Sequence, residues 1–257
     1  MKFSYRALKQ LVPDLESVDQ LRDALTMHAF EVDSVEGDIL DVKILPNRFS
    51  DAASYAGLAR EVAAILDVKA VPPRGRGVKF QKAAGRLDLI VEVGERALCP
   101  RYMARYFEIG AGGKTPVWMA EILTAAGMRS INPVVDIMNY AMLETGQPMH
   151  AFDADKLKGI AVRRARTGEK IETLDGGHYE LNGEDLVIAD GEYALAIAGI
   201  KGGGRAEVTP QTTRIIVEAA NFNNVSIYKT SKRLRLATDA SARFAHNLSP
   251  ALAENGM

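Results

Sequence analysis

The sequence predicts an α+β protein: a small helical N-terminal domain followed by a larger mixed α/β domain. Three observations predict it. The first stretch carries apolar side chains at helical spacing around one short alternating strand. A Pro-, Gly- and Arg-rich run, Val71-Pro72-Pro73-Arg74-Gly75-Arg76-Gly77, then breaks the pattern. Beyond it, short strands and helices mix without the regular alternation of a doubly wound sheet. The domains therefore fall at 1–72 and 87–257, with a linker at 73–86, and 257 residues suffice for both cores.

Each element has a local reason. Ser17-Val18-Asp19-Gln20 reads as a capping box, and Leu21, Leu25 and Met27 or His28 follow at helical spacing. Leu40, Val42 and Ile44 alternate with Asp41 and Lys43, the pattern of a half-buried strand. Pro46-Asn47-Arg48 ends it, and a helix follows with Leu58, Val62, Ile65 and Leu66 on one face, closing near Asp67. In the second domain Leu87, Leu89, Val91 and Val93 form one alternating run, and Tyr102, Ala104 and Tyr106 another. Thr115-Pro116 starts a helix that Gly127 stops, with Trp118, Ile122 and Leu123 expected inward. Asn132-Pro133 starts the next, with Val134, Met138 and Met142 on one face and Gly146 after its end. Asp175-Gly176-Gly177 and Asp190-Gly191 signal hairpins. Leu186 to Ala189, Ala194 to Ala198 and Arg214 to Val217 read as strands, and Ser226 to Leu234 as a basic helix.

Composition narrows the chemistry. Lys plus Arg number 32 against 33 Asp plus Glu, so any nucleic-acid contact needs a local patch. The longest apolar stretch, Tyr193 to Ile200, is too short to span a bilayer, and MKFSYRALKQLVPDLES lacks a signal-peptide core; no membrane partner and a cytoplasmic location are expected. A single cysteine, Cys99, excludes an internal disulfide and a cysteine-cluster zinc site, and His28, His150, His178 and His246 lack metal-ligand spacing, so no metal is expected.

Four features carry chemistry, each with two readings. His150, three residues before Asp153, is either a structural hydrogen bonder or a catalytic imidazole. The run Ala198-Gly199-Ile200-Lys201-Gly202-Gly203-Gly204 is either a hairpin connection or a backbone that approaches a ligand closely. It is neither a Walker loop nor a GxGxxG fingerprint. Glu218, closing the apolar Ile215-Ile216-Val217, is either an outward strand residue or a buried acceptor that needs a donor. Lys229, Lys232, Arg233 and Arg235 form either a solvated helix face or a phosphate-contacting patch.

In order, these segments resemble a known family. The stretch Gly127 to Asp153, GMRSINPVVDIMNYAMLETGQPMHAFD, is similar to the editing domain of bacterial phenylalanyl-tRNA synthetase β subunits. So are IAVRRARTGEKIETLDG (Ile160 to Gly176), AGIKGG (Ala198 to Gly203) and SIYKTSKRLRLATDASARF (Ser226 to Phe244). KFSYRALKQLVPDLES and LPNRFSDAASYAGLAREVAAIL look like the two halves of that subunit's N-terminal domain. The family's OB-fold insertion between those halves has no counterpart here, where only Glu36 to Asp41 intervene, and neither do its later domains; the chain reads as an N-terminal fragment or a short member.

The resemblance implies hydrolysis of tyrosine wrongly esterified to phenylalanine tRNA. It assigns His150 and Asn139 to catalysis, and Glu218, Gly199, Ala198 and Met138 to substrate binding. Arg129 falls on the arginine before the helix and is expected to hold the tRNA terminus; on their charge alone, Lys229, Lys232 and Arg233 are expected to contact tRNA as well. Met138 stands where the family usually has threonine, and Lys201 where methionine is common. The implied partners are the synthetase α subunit, in an α₂β₂ assembly, and tRNA(Phe). No cofactor is implied for this chain; ATP and Mg belong to the complete synthetase. The alternative is a non-catalytic assembly or tRNA-positioning module.

Overall fold

A computed structural model describes residues 1–73, 89–110, 113–191 and 193–257 of the chain. They form a mixed α+β fold, helical early and strand-rich later, in two compact units: Met1–Gln81 with Lys114–Gly146, and Lys82–Gly113 with Gln147–Met257. Apart from Pro73, the expected linker at 73–86 lies outside the described residues, as does Leu87.

The first unit contains β1 (Lys2–Ser4), α1 (Tyr5–Leu11), α2 (Val18–His28), β2 (Val32–Glu36), β3 (Ile39–Val42), α3 (Phe49–Ala52) and α4 (Tyr55–Leu66), joined by α5 (Val117–Ala125) and α6 (Pro133–Thr145). Its strands form an antiparallel sheet in the order β1-β3-β2. Ser4, Ser17 and Ser54 each cap a helix by accepting from the backbone N–H three residues on. Gln20 completes no capping box; its side-chain oxygen accepts from Glu16 N–H instead. Leu21 and Leu25 are fully buried, whereas Met27 is exposed. α4 ends on Asp67 in the left-handed conformation, as its position after the apolar run requires.

The sequence division assigns α5 and α6 to the second domain. In the structure their apolar faces close the first unit's core: Met119, Leu123 and Leu143 pack with Leu8, Leu25 and Leu58. Met119 takes the inward place expected of Trp118, which is 41% exposed and stands edge-on to Tyr140. Thr115 caps nothing; its hydroxyl donates to buried Asp136, which also accepts from Ser130 Oγ and Ile131 N–H. α6 obeys its sequence, capped by Asn132, started by Pro133 and ended by Gly146 at φ 85°.

The second unit contains β4 (Ile90–Val93), β5 (Arg101–Glu108), β6 (Met149–Asp153), β7 (Gly159–Arg164), β8 (Lys170–Glu172), β9 (His178–Glu180), β10 (Leu186–Asp190), β11 (Tyr193–Ile197), β12 (Lys201–Gly202) and β13 (Arg214–Asn221), with α7 (Asn224–Leu234), α8 (Asp239–Ala245) and α9 (Leu252–Gly256). Five strands run in the order β12-β11-β10-β7-β4, antiparallel except where β4 joins β7. Among the described residues β4 is an edge of this sheet, and its Ile90 and Val91 are exposed. A second sheet, β5-β13-β6, is antiparallel throughout, and β8 and β9 form a hairpin. The two larger sheets share one core, in which Phe152, Ile216 and Ala220 meet Val162, Val187 and Ile197.

Candidate functional site

β13 is the middle strand of its sheet because both edges are bonded, and its β-branched run suits a strand buried on both faces. Glu218 interrupts that run. It is 5% exposed, and no hydrogen bond from the described residues reaches its carboxyl. Burial alone pushes its pKa up to about 8, so the neutral acid is its form at pH 7.

The register sets His150 of β6 directly opposite Glu218, with Ala104 of β5 on the other side. Paired residues of an antiparallel ladder share a face, so the imidazole and the carboxyl project the same way. His150 stands edge-on to Phe152, ring centroids 4.5 Å apart, and burial lowers its pKa to about 4. A neutral acid and a neutral imidazole thus lie side by side.

Both groups line a cleft of about 80 Å³. Its walls are Phe222 and Phe244, packed T-shaped at 5.1 Å, and the turn Gly199 to Gly202. Gly199 has φ +68°, and a Cβ there would lie 2.8 Å from Phe222 and 3.0 Å from Phe244. Glycine is needed for the backbone and for the space alike. Gly202 backs the imidazole: a Cβ would lie 2.6 Å from His150 Cε1 and 3.0 Å from Nε2. Gly202→Ala is accordingly expected to push the ring toward the cleft mouth, cost about 1–3 kcal/mol of stability and raise the imidazole's titration midpoint. Proton NMR of the histidine ring checks this; an unmoved His150 resonance would contradict the packing.

Of the other expected site residues, Ala198 is buried behind the cleft with its N–H donating to Leu186 O. Lys201 lines the rim and pairs with Asp175 at 3.1 Å. The Thr173 hydroxyl, with Lys201 second, holds the Asp175 carboxyl down at about 2. Arg129, Met138 and Asn139 belong to the other unit: Met138 is buried in α6, Asn139 half-buried beside it, and Arg129 exposed before the helix. On α7, Lys229 is exposed and Lys232 lies over the Tyr228 ring. Arg233 is committed to buried Asp185, which Thr230 also donates to, so it ties α7 to the loop before β10. Cys99 is buried and its thiol is pushed up to about 12, first by burial and then by Glu218. That is the behaviour of an inert thiol.

Sequence reasoning missed β6 as a strand, and missed Phe222 and Phe244 as cleft residues; Gly202 lay in the glycine run it singled out. β6 reads Met-His-Ala-Phe-Asp, which has no two-residue alternation to reveal it. Among the described residues, no group of three or more His, Cys, Asp or Glu is placed to hold a metal ion. No described helix is long and apolar enough to cross a membrane.

Comparison with known proteins matches residues 98–257 to the B3/4 domain family. The chain is 47% identical over 222 residues to the phenylalanine–tRNA ligase beta subunit of Moorella thermoacetica, covering 84% of this chain and 27% of that protein. It is 43% identical over 230 residues to that of Geobacter metallireducens (86% and 28%) and 37% identical over 258 residues to that of Rhodopirellula baltica (97% and 37%). The chain thus spans between a quarter and two fifths of the length of these curated relatives. An N-terminal fragment of the phenylalanyl-tRNA synthetase beta subunit from Pyrococcus horikoshii aligns over 91% of this chain and 73% of its own at a TM-score of 0.46 and 17% identity.

Proposed function

The chain belongs to the B3/4 domain family, and from that premise we propose that its cleft is the editing site of a phenylalanine–tRNA ligase β subunit, hydrolysing tyrosine wrongly esterified to tRNA(Phe). The observation that carries this reading is Glu218, a buried carboxyl with no hydrogen-bond partner among the described residues, on the wall of an otherwise mainly apolar cleft.

Tyrosine and phenylalanine differ by one hydroxyl. An apolar pocket separates such a pair poorly, whereas a pocket built to bond the hydroxyl rejects the analogue lacking it by roughly 10⁴–10⁵. In this reading Phe222 and Phe244 flank the ring, Glu218 meets the phenolic hydroxyl, and Gly199 N–H donates to its oxygen. Phenylalanine leaves the buried groups unpaired. At the ester end a water adds to the carbonyl carbon and the bond to the ribose oxygen breaks. The ribose oxygen keeps one proton of that water, and His150, neutral at pH 7, orients the attack. Arg129, Lys229 and Lys232 are proposed to meet tRNA phosphates. Roles for Asn139 and Met138 go to single variants in the same assay. The α subunit, tRNA(Phe) and the ATP-dependent ligation belong to the complete synthetase in this reading.

The test is deacylation of Tyr-tRNA(Phe) beside Phe-tRNA(Phe), by this chain and by His150→Ala. Selective tyrosine release that weakens roughly 10- to 100-fold in the variant is expected. A folded chain that releases neither amino acid would leave the assembly-module reading in its place.

A further inference from the structure

Behind the cleft lies a buried polar group that neither the fold nor the proposed chemistry uses. The hydroxyl of Tyr102 is shielded from solvent and has no hydrogen-bond partner among the described residues. Leaving a buried hydroxyl unpaired is destabilising, so its persistence calls for a reason.

Its position supplies one. Tyr102 of β5 pairs with Ala220, and Ala104 pairs with Glu218, without a register break between them. Tyr102 and Glu218 are therefore diagonal neighbours on one face of the sheet, a separation that a long aromatic side chain bridges. The phenol feels the carboxyl: it is raised well above its ordinary value, first by burial and then by the Glu218 charge. The ionisable groups facing Glu218 from the surrounding elements are His150 on β6, Cys99 and Tyr102 at β5, and Lys201 at the cleft rim; α8 brings only Ala240 and Phe244.

We propose that Tyr102 is the positioning residue for Glu218: its hydroxyl is idle while the carboxyl is a free neutral acid and donates to it once the carboxyl ionises or accepts from a ligand. That donation fixes which carboxyl oxygen faces the cleft. The role in specificity rests on the editing reading above; the pairing of the two side chains does not.

The variant Tyr102→Phe removes one oxygen and keeps the ring. Two measurements separate the pairing from the reading. The first is a carbon-13 NMR titration of the Glu218 carboxyl in the unliganded chain, assigned with Glu218→Gln. The midpoint is expected about one pH unit higher in Tyr102→Phe, and an unchanged midpoint overturns the proposal whatever the chain hydrolyses. The second is the ratio of kcat/KM for Tyr-tRNA(Phe) over Phe-tRNA(Phe), expected to fall about tenfold through a raised KM for the tyrosyl ester. Thermal unfolding of the same variant is expected at an equal or higher temperature, since an unpaired buried group is removed; a lower one marks the hydroxyl as structural and overturns the proposal. If the parent chain shows no tyrosine preference, the editing reading fails and the titration alone decides the pairing.

Discussion

Glu218→Ala is expected to give a folded protein whose preference for tyrosine over phenylalanine on tRNA(Phe) falls by roughly 10²–10³-fold in the kcat/KM ratio. The size follows from burial. Glu218 sits on the central strand, and the groups around it leave little water to replace it. A hydroxyl entering the cleft of the variant finds no acceptor and loses its hydration, so tyrosine should suffer more than phenylalanine. The variant should still fold, because it also removes the cost of holding an unpartnered carboxyl in the core. Glu218→Gln makes a sharper comparison. With the parent carboxyl neutral up to about pH 8, an amide of the same shape should keep most of the selectivity at pH 7. Equal selectivity in all three proteins would dismiss Glu218 as the discriminating group.

The second large effect is a dependence of stability on pH set by two neighbours titrating in opposite senses. Unfolded, Glu218 releases its proton near 4.5, but folded it holds it to about 8. Its contribution is complete below 4.5 and is lost as the pH rises to 8. His150 takes up a proton near 6.5 when unfolded but only near 4 when folded. Its contribution is complete above 6.5 and is lost as the pH falls to 4. Each slope is about 1.4 kcal/mol per pH unit. For these two groups, stability is therefore level from about 4.5 to 6.5 and falls by roughly 2 kcal/mol between 6.5 and 8. Glu218→Gln should abolish that fall and expose the rise contributed by His150 between 4 and 6.5. Across the whole range the parent should lose up to ~5 kcal/mol relative to the variant. Urea unfolding at half-unit steps from pH 4.5 to 8.5 measures both curves, and parallel curves above 6.5 would show that Glu218 is not held protonated.

The sequence was most informative where a residue acts on its own backbone. Asn132-Pro133 and Gly146 bound α6, Ser17 starts α2, and Asp67 closes α4, because caps and stops depend on only a few neighbouring atoms. It misled where the choice lay between partners. Gln20 completes no capping box, because its side chain accepts from Glu16 N–H instead. Thr115 was free to cap α5, but bonds the Asp136 carboxyl twenty-one residues on. Trp118 was expected inside on hydrophobicity, but the inward stripe of α5 passes through Met119 and Leu123.

The candidate site divides along the same line. Sequence alone determined an α+β chain with one acid at the end of an apolar strand and a glycine run suited to close approach. It also carried the ordered segments that mark its kinship. It left open whether Glu218 was buried or exposed and whether His150 was structural or catalytic, since both depend on atoms far away in the chain. Only the tertiary structure decided the first, by burying Glu218, and fixed the neighbours of His150. Pairing β6 with β13 put His150 opposite Glu218 across 68 residues of sequence. Phe222, Phe244 and the Gly199 turn then wall the cleft the two share, and burial there moves both from their ordinary pKa values. A side chain's type is local, but its solvation and its neighbours belong to the whole fold.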